Sequence, residues 1–287
     1  MGALARDLRR ICRHNKDGSY KTQKDRENIL MLCARDLETL GIKAASAHSI
    51  KPKYTEKLVE FWQTNGVSDA TIANRVCALR YWAAAVDKAN VVPRTNAELG
   101  IERRSQSNEN KAQRLDLEKV ETLPCKRMQL ACKAMSAFGL RMEEALKLNA
   151  SFSDKGDHIA LKASWCKGGR ARVIPLTMPE RQRALLDEIK AVCGSGSLIP
   201  DDKSYIQHRK AFENQTLKAG FSNLHGLRHN YAQVRYKALT GWECPKRGGM
   251  DYKAMTAEQR EIDKDVRLKI SEELGHSRMS ITKIYLG

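Results

Sequence analysis

No apolar run in this 287-residue chain approaches the length that crosses a bilayer, and no secretory leader or lipidation signature stands out. A membrane-spanning or exported protein is not expected, and the cytoplasm is the expected compartment. The eight cysteines contain no CxxC pair and assemble no zinc quartet with the seven histidines. A structural zinc site is thereby excluded, and the thiols read as reduced, several of them as core. There is no Walker A pattern and no acidic cluster spaced to hold a metal, so no cofactor is expected. No internal repeat is present. Acidic residues are in deficit, 34 against 51 lysines and arginines.

The balance of what is present is more informative. At 41% hydrophobic and 30% charged residues the chain is neither disordered nor membrane-like, and its length accommodates two cored domains. The net charge is +17 with a pI near 9.6. Residues 1–114 carry +8 of it and residues 115–287 carry +9. Positive charge spread over both halves fits a long polyanion, most simply nucleic acid. No basic amphipathic helix dominates the pattern, which disfavours a membrane-surface role.

Helical periodicity runs through residues 19–40, where Ile29, Leu32, Cys33, Leu37 and Leu40 form one face and Gly41 stops it. Further helices are expected over 52–63, with Leu58, Val59 and Trp62 inward, and after a Ser68/Asp69 cap, with Ile72, Val76, Leu79 and Trp82 inward. Residues 1–101 thus read as an all-helical domain. Residues 102–114 are polar and read as a linker, able to span roughly 40 Å when extended. Residues 115–287 read as a second domain, mainly α. A β-hairpin is expected near 158–162 and 171–176, followed by helices near 178–192, 204–219, 227–238 and 257–274.

Four segments of the second domain carry chemistry. In Gly139-Leu140-Arg141-Met142-Glu143-Glu144, the arginine follows a glycine turn at a helix start and Glu144 is one turn on, placed to brace Arg141 or a histidine. Lys167 stands at the mouth of the glycine-bearing hairpin turn Lys167-Gly168-Gly169-Arg170, where an ammonium can donate a proton to a departing alkoxide. In His225-Gly226-Leu227-Arg228-His229-Asn230, His225 before a helix and Arg228 in its first turn can face one anion. His229, next to Arg228, is expected to point elsewhere. Leu274-Gly275-His276 precedes Tyr285 by nine residues. Tyr231 and Tyr236 lie on a helix and read as packing.

In order and combination these segments resemble the tyrosine recombinase family, which includes the phage integrases, with its G-L-R-x-x-E box, hairpin lysine, H-x-L-R-H and L-G-H followed by tyrosine. The resemblance implies a mixed α/β catalytic domain over 115–287 and a SAM-like helical DNA-binding domain over 1–101. It implies that Tyr285 is the nucleophile and that Arg141 and Arg228 clamp the scissile phosphate. It further implies that Lys167 protonates the leaving 5′-oxygen, that His225 assists proton transfer at the tyrosine, and that His276 hydrogen-bonds a phosphate oxygen, with Glu144 in support. Thr22, Gln23, Arg26, Asn74, Arg75 and Arg80 resemble the family's DNA-facing positions. The implied partner is double-stranded DNA, engaged as a homotetramer on two sites, with no metal or other cofactor. Physical chemistry agrees: a phenol attacks well only beside a base or in a cationic field, and paired guanidiniums match the charge of a pentacoordinate phosphorus.

The chain departs from the pattern twice. About two dozen extra residues separate Arg228 from His276, beginning with a Pro/Gly-rich stretch near 239–250 and running into a helix with Thr256 and Gln259 as a capping box and Ile262, Val266 and Ile270 inward. That stretch is expected either to contact DNA or a neighbouring protomer, or to cover a hydrophobic edge. Only Leu286 and Gly287 follow Tyr285, whereas many relatives carry a docking tail there. Either protomers are linked through another surface or the sequence has been shortened. The alternatives to a recombinase are a type IB-like topoisomerase and a non-catalytic DNA-binding protein.

Overall fold

A computed structural model describes residues 2–103, 109–276 and 278–287. It divides into two compact units, Met1–Gln106 and Ser107–Gly287. Of the expected linker 102–114, residues 104–108 lie outside the described residues. Glu102 is held in the first unit by its backbone N–H donating to Asp69 Oδ2 at 2.8 Å. Gln113 is held in the second unit by its N–H donating to the Gly226 carbonyl at 3.0 Å.

The first unit is all-helical: α1 (Ala3–His14), α2 (Tyr20–Thr39), α3 (Pro52–Thr64) and α4 (Asp69–Ala85). Ser19 caps α2 by accepting from the Thr22 N–H, and a proline opens α3. Trp62, Trp82, Leu30, Leu37, Leu58 and Ile72 are fully buried between the helices. Both indoles are satisfied inside: Trp62 Nε1 donates to Asp36 Oδ2 at 2.7 Å and Trp82 Nε1 to the Ala47 carbonyl at 2.8 Å. The Trp62 bond, to a carboxylate acceptor, stabilises by about 1.5–3 kcal/mol. The sequence reading assigns no helix to residues 3–14, and here the structure corrects it. α1 is a basic amphipathic helix with Leu4, Ala5 and Leu8 buried. Its apolar stripe is narrow, and the four arginines on its other side make the segment strongly polar on average.

The second unit is helical around one hairpin: α5 (Leu117–Glu121), α6 (Lys126–Phe138), α7 (Met142–Leu146), α8 (Ala150–Ser153), β1 (His158–Leu161), β2 (Arg172–Pro175), α9 (Pro179–Cys193), α10 (Tyr205–Lys218), α11 (His225–Thr240), α12 (Ala257–Glu273) and α13 (Lys283–Leu286). β1 and β2 pair antiparallel with His158 opposite Pro175 and Leu161 opposite Arg172. α11 runs through the middle, packed on α6, α12 and α13. This mostly helical architecture with a two-stranded sheet is the expected one. Thr256 and Gln259 form the expected capping box of α12. Ile262, however, is 37% exposed while Asp263 is buried. Asp263 takes the inward position because its carboxylate accepts from the Tyr236 hydroxyl at 2.6 Å and pairs with Arg267 at 2.7 Å.

Two glycines aim the site. α6 ends at Gly139, φ 61°, where a Cβ would come within 2.5 Å of the Tyr231 ring. Only glycine supplies that left-handed turn, and the chain then delivers Arg141 to the start of α7. Gly275, φ 65°, ends α12 with a Cβ position 2.9 Å from Arg172 Cδ, which places His276 just beyond.

Candidate active site

Arg141 and Glu144 form the first layer. Arg141 Nη1 donates to Glu144 Oε1 and its backbone N–H to Oε2, both at 2.7 Å. The same carboxylate receives Arg172, from β2, through both terminal nitrogens at 2.7 Å. Arg172 Nε also donates to the Glu273 carbonyl at 2.9 Å, tying the hairpin to the end of α12. Burial raises the Glu144 pKa, but the hydrogen bonds and charge of Arg172 and the charge of Arg141 outweigh it and hold the carboxyl at about 2. Sequence reasoning missed Arg172. Its signal was the strand period: Arg172 and Ile174 share the buried face of β2, while Val173 points out.

Arg228, on the first turn of α11, is fully buried. Nη1 donates to the Gly139 carbonyl at 2.5 Å, Nη2 to the Leu274 carbonyl, and Nε to the Tyr285 hydroxyl at 3.4 Å. Its Nη1 is 4.0 Å from Glu144 Oε2. Burial, then the charge of Arg141, lowers the Arg228 pKa to about 10, so the guanidinium stays charged at neutral pH. Arg228 Nη2 is also 3.4 Å from His276 Nε2. Since arginine only donates, that ring nitrogen accepts and the proton sits on Nδ1.

Tyr285, on α13, is buried at 4% exposure. His225, the first residue of α11, brings Nε2 to 3.4 Å from the Tyr285 hydroxyl. The phenol oxygen therefore lies between a permanent cation and an imidazole. Burial and the charges of Arg228 and Arg141 lower the His225 pKa, which keeps the ring neutral and able to take a proton at neutral pH. His229 does not point away as expected. Its ring lies 4.5 Å from the Tyr285 ring and 5.4 Å from His225. The i, i+4 relation of His225 and His229 puts both on the face of α11 that meets α13.

The structure thus gathers Arg141, Glu144, His225, Arg228, His276 and Tyr285, adds Arg172 and His229, and leaves Lys167 outside. Lys167 is exposed on the hairpin turn and, among the described residues, forms no hydrogen bond or ion pair with the cluster. Gly168 and Gly169, at φ 78° and 66°, carry that turn outward. The 239–256 stretch folds back on α11: Arg247 Nε donates to Gln233 Oε1 at 2.8 Å and Nη2 to Asn230 Oδ1 at 2.6 Å. Gln233 Nε2 in turn donates to the Tyr285 carbonyl at 2.9 Å.

In the first unit, four of the six DNA-facing candidates spend their polar groups internally. Gln23 Nε2 donates to the Lys16 and Gly18 carbonyls at 2.8 and 2.9 Å. Arg26 pairs with Asp17 at 2.6 Å and lies 3.8 Å over the Tyr81 ring. Arg80 binds the Pro93 carbonyl at 2.8 Å and Asn96 Oδ1 at 2.9 Å. Thr22 Oγ1 meets Ser19 Oγ at 2.8 Å, Arg75 lies 5.0 Å over Trp62, and Asn74 is exposed.

Burial keeps His229 down at about 4 and His276 at about 3, the latter helped by Arg228. Between those values and the ordinary histidine range the unfolded chain binds more protons than the folded one, so stability rises with pH across that window. The unfolding midpoint is expected to fall as pH drops from about 6.5 towards 4, and His229→Asn to flatten that slope. A denaturation series at fixed ionic strength checks it.

Residues 1–92 match the family model described as phage integrase, N-terminal. No curated protein sequence matches the chain. Among solved structures, a lambda integrase tetramer bound to a Holliday junction is 16% identical, with a TM-score of 0.65 over 98% of this chain and 76% of that one. The XerH site-specific recombinase bound to a palindromic difH substrate is 18% identical, with a TM-score of 0.60 over 99% and 81% of the two chains. The Tn1549 transposon integrase in complex with transposon right-end DNA is 14% identical, with a TM-score of 0.62 over 100% and 95%. The chain has the tyrosine recombinase fold.

Proposed function

We propose that this protein is a site-specific DNA recombinase or integrase that cuts and rejoins duplex DNA through a 3′-phosphotyrosine. The observation that carries this reading is the Tyr285 hydroxyl, 3.4 Å from both Arg228 Nε and His225 Nε2 in a pocket of cations. In the forward step the Tyr285 oxygen bonds to phosphorus, its proton passes to His225, and the bond from phosphorus to the 5′-oxygen breaks. Arg141 and Arg228 hold the non-bridging oxygens, where charge concentrates. Lys167, on its outward turn, protonates the leaving 5′-oxygen. The phosphodiester energy is kept in the tyrosyl bond, so a 5′-hydroxyl from a second duplex can reverse the attack and complete an exchange. A tetramer on two DNA sites is the matching assembly, and the lambda integrase tetramer on a Holliday junction is its parallel.

Strand exchange between two duplexes carrying the cognate site tests this reading. Relaxation of supercoiled DNA with no exchange would make the protein a topoisomerase, and DNA binding with neither activity a non-catalytic binder. Lys167→Ala is expected to slow cleavage by about 10²–10⁴. A substrate with a sulfur in place of the leaving 5′-oxygen should restore most of the rate, and failure of that rescue removes the acid role from Lys167.

A further inference from the structure

α1 carries its charge on one side. Leu4, Ala5 and Leu8 face the core of the first unit. The opposite side forms a surface hollow of about 390 Å³ whose described lining is entirely basic: Arg6, Arg9, Arg10, Arg13 and His14. Only part of this charge is balanced. Arg9 Nε lies 3.3 Å from Glu27 and Arg10 Nη2 3.2 Å from Asp7, while Arg6 and Arg13 form no ion pair among the described residues.

Such a stripe works against its own helix. Arg6 faces Arg9 and Arg10, and Arg13 faces the same two, at i, i+3 and i, i+4 spacings where like charges repel. Arg6 also sits towards the positive end of the helix dipole. An anion laid along the stripe reverses both effects. Four cations of α2 and α4 are placed differently: Lys21 pairs with Asp25, Lys24 with Glu27 and Arg26 with Asp17, while Arg80 is bonded to Asn96. The guanidiniums of this unit that remain open to an outside partner therefore include Arg6 and Arg13 of α1, whereas Arg26 and Arg80, two of the three arginines that the sequence resemblance nominates, are engaged internally.

We propose that this face of α1 is a DNA-backbone site, gripping successive phosphates of one strand of the duplex on which Tyr285 acts. The inference rests on the reading of the protein as a DNA-acting enzyme. The dimensions fit. Arg6 and Arg13 are seven residues apart, about 10 Å along the helix, and the phosphates of one strand follow one another about every 3.4 Å along the duplex axis. The face thus spans about three phosphates, each open to a forked guanidinium contact. Because the apolar side of α1 is buried in its own domain, the helix has no free face to lay into a bilayer, which favours DNA over an anionic lipid surface.

The test uses the full chain and the salt dependence of its affinity for duplex DNA. Arg6→Gln with Arg13→Gln removes two phosphate contacts and should lower the slope of log K against log salt by about 1.8, while Arg6→Lys with Arg13→Lys should keep the native slope. If circular dichroism shows the glutamine pair unfolded, Arg13→Gln alone decides, with an expected loss of about 0.9. A native slope in the folded glutamine variant overturns the site. So does unchanged DNA binding with lost binding to vesicles of anionic phospholipid. The native protein's covalent adduct on a nicked duplex separates this inference from its parent reading. An adduct with an unaltered variant slope sinks the α1 site alone, and a reduced slope without any native adduct sinks the catalytic reading alone. No salt-dependent DNA binding by the native protein sinks both.

Discussion

Tyr285→Phe is expected to abolish the covalent protein–DNA adduct on a duplex nicked beside the cleavage site, while leaving the protein folded and bound to DNA. The substitution removes one oxygen. The ring that packs 4.5 Å from His229 and is 4% exposed stays in place, so the core around α13 keeps its apolar contacts. What is lost is the group held between Arg228 Nε and His225 Nε2. Neither nearby tyrosine can take over. The Tyr231 hydroxyl donates to Glu273 at 3.0 Å and the Tyr236 hydroxyl to Asp263 at 2.6 Å. Burial, with those carboxylates, pushes both phenols well above their ordinary range, away from the anionic form an attack needs. The loss is therefore complete rather than a partial slowing. Denaturing electrophoresis of the reaction reads it directly, and an adduct persisting with the phenylalanine variant would mean that another residue is the nucleophile.

In the proposed attack, His225 sets the response to acid. Its pKa is lowered by burial and by the charges of Arg228 and Arg141, so its neutral form survives below the ordinary histidine range. The cleavage rate should stay level as pH falls through that range and decline only further down.

Much of this site was legible because local chemistry marks it. Gly139 and Gly275 announce turns that no other residue makes at those contacts, and the arginine and histidine they deliver follow within two residues. The hairpin was legible from its two short apolar runs around two glycines. Other parts depend on contacts that no local window contains. Arg228 is fixed by carbonyls at Gly139 and Leu274, 89 and 46 positions away. The burial of Asp263 in place of Ile262 follows from a tyrosine on another helix. α1 escaped notice for a different reason: four arginines in twelve residues make the segment strongly polar on average, although Leu4, Ala5 and Leu8 hold the spacing of one apolar face.

Glu144 is the counter-ion on which the cationic cluster depends, and its removal is the second large effect expected. One buried carboxylate, 1% exposed, meets Arg141 and both terminal nitrogens of Arg172 at 2.7 Å and lies 4.0 Å from Arg228. Glu144→Gln keeps the shape and removes the charge, leaving three guanidiniums to repel one another in a poorly solvated space. Breaking a buried pair in this way costs about 3–5 kcal/mol, so the unfolding midpoint should fall markedly. Arg172→Lys tests positioning apart from stability. Lysine keeps the charge but cannot make the two-pronged contact, and Arg141 then loses the fixed carboxylate that orients it. At a temperature where this variant is folded, cleavage should fall by up to about 100-fold, the cost of misplacing a catalytic group by about 1 Å. DNA affinity should hold near the native value, because both terminal nitrogens of Arg172 are taken up by Glu144 and its Nε by the Glu273 carbonyl. A variant with native stability and a native cleavage rate would show that Arg141 is held by something other than this carboxylate.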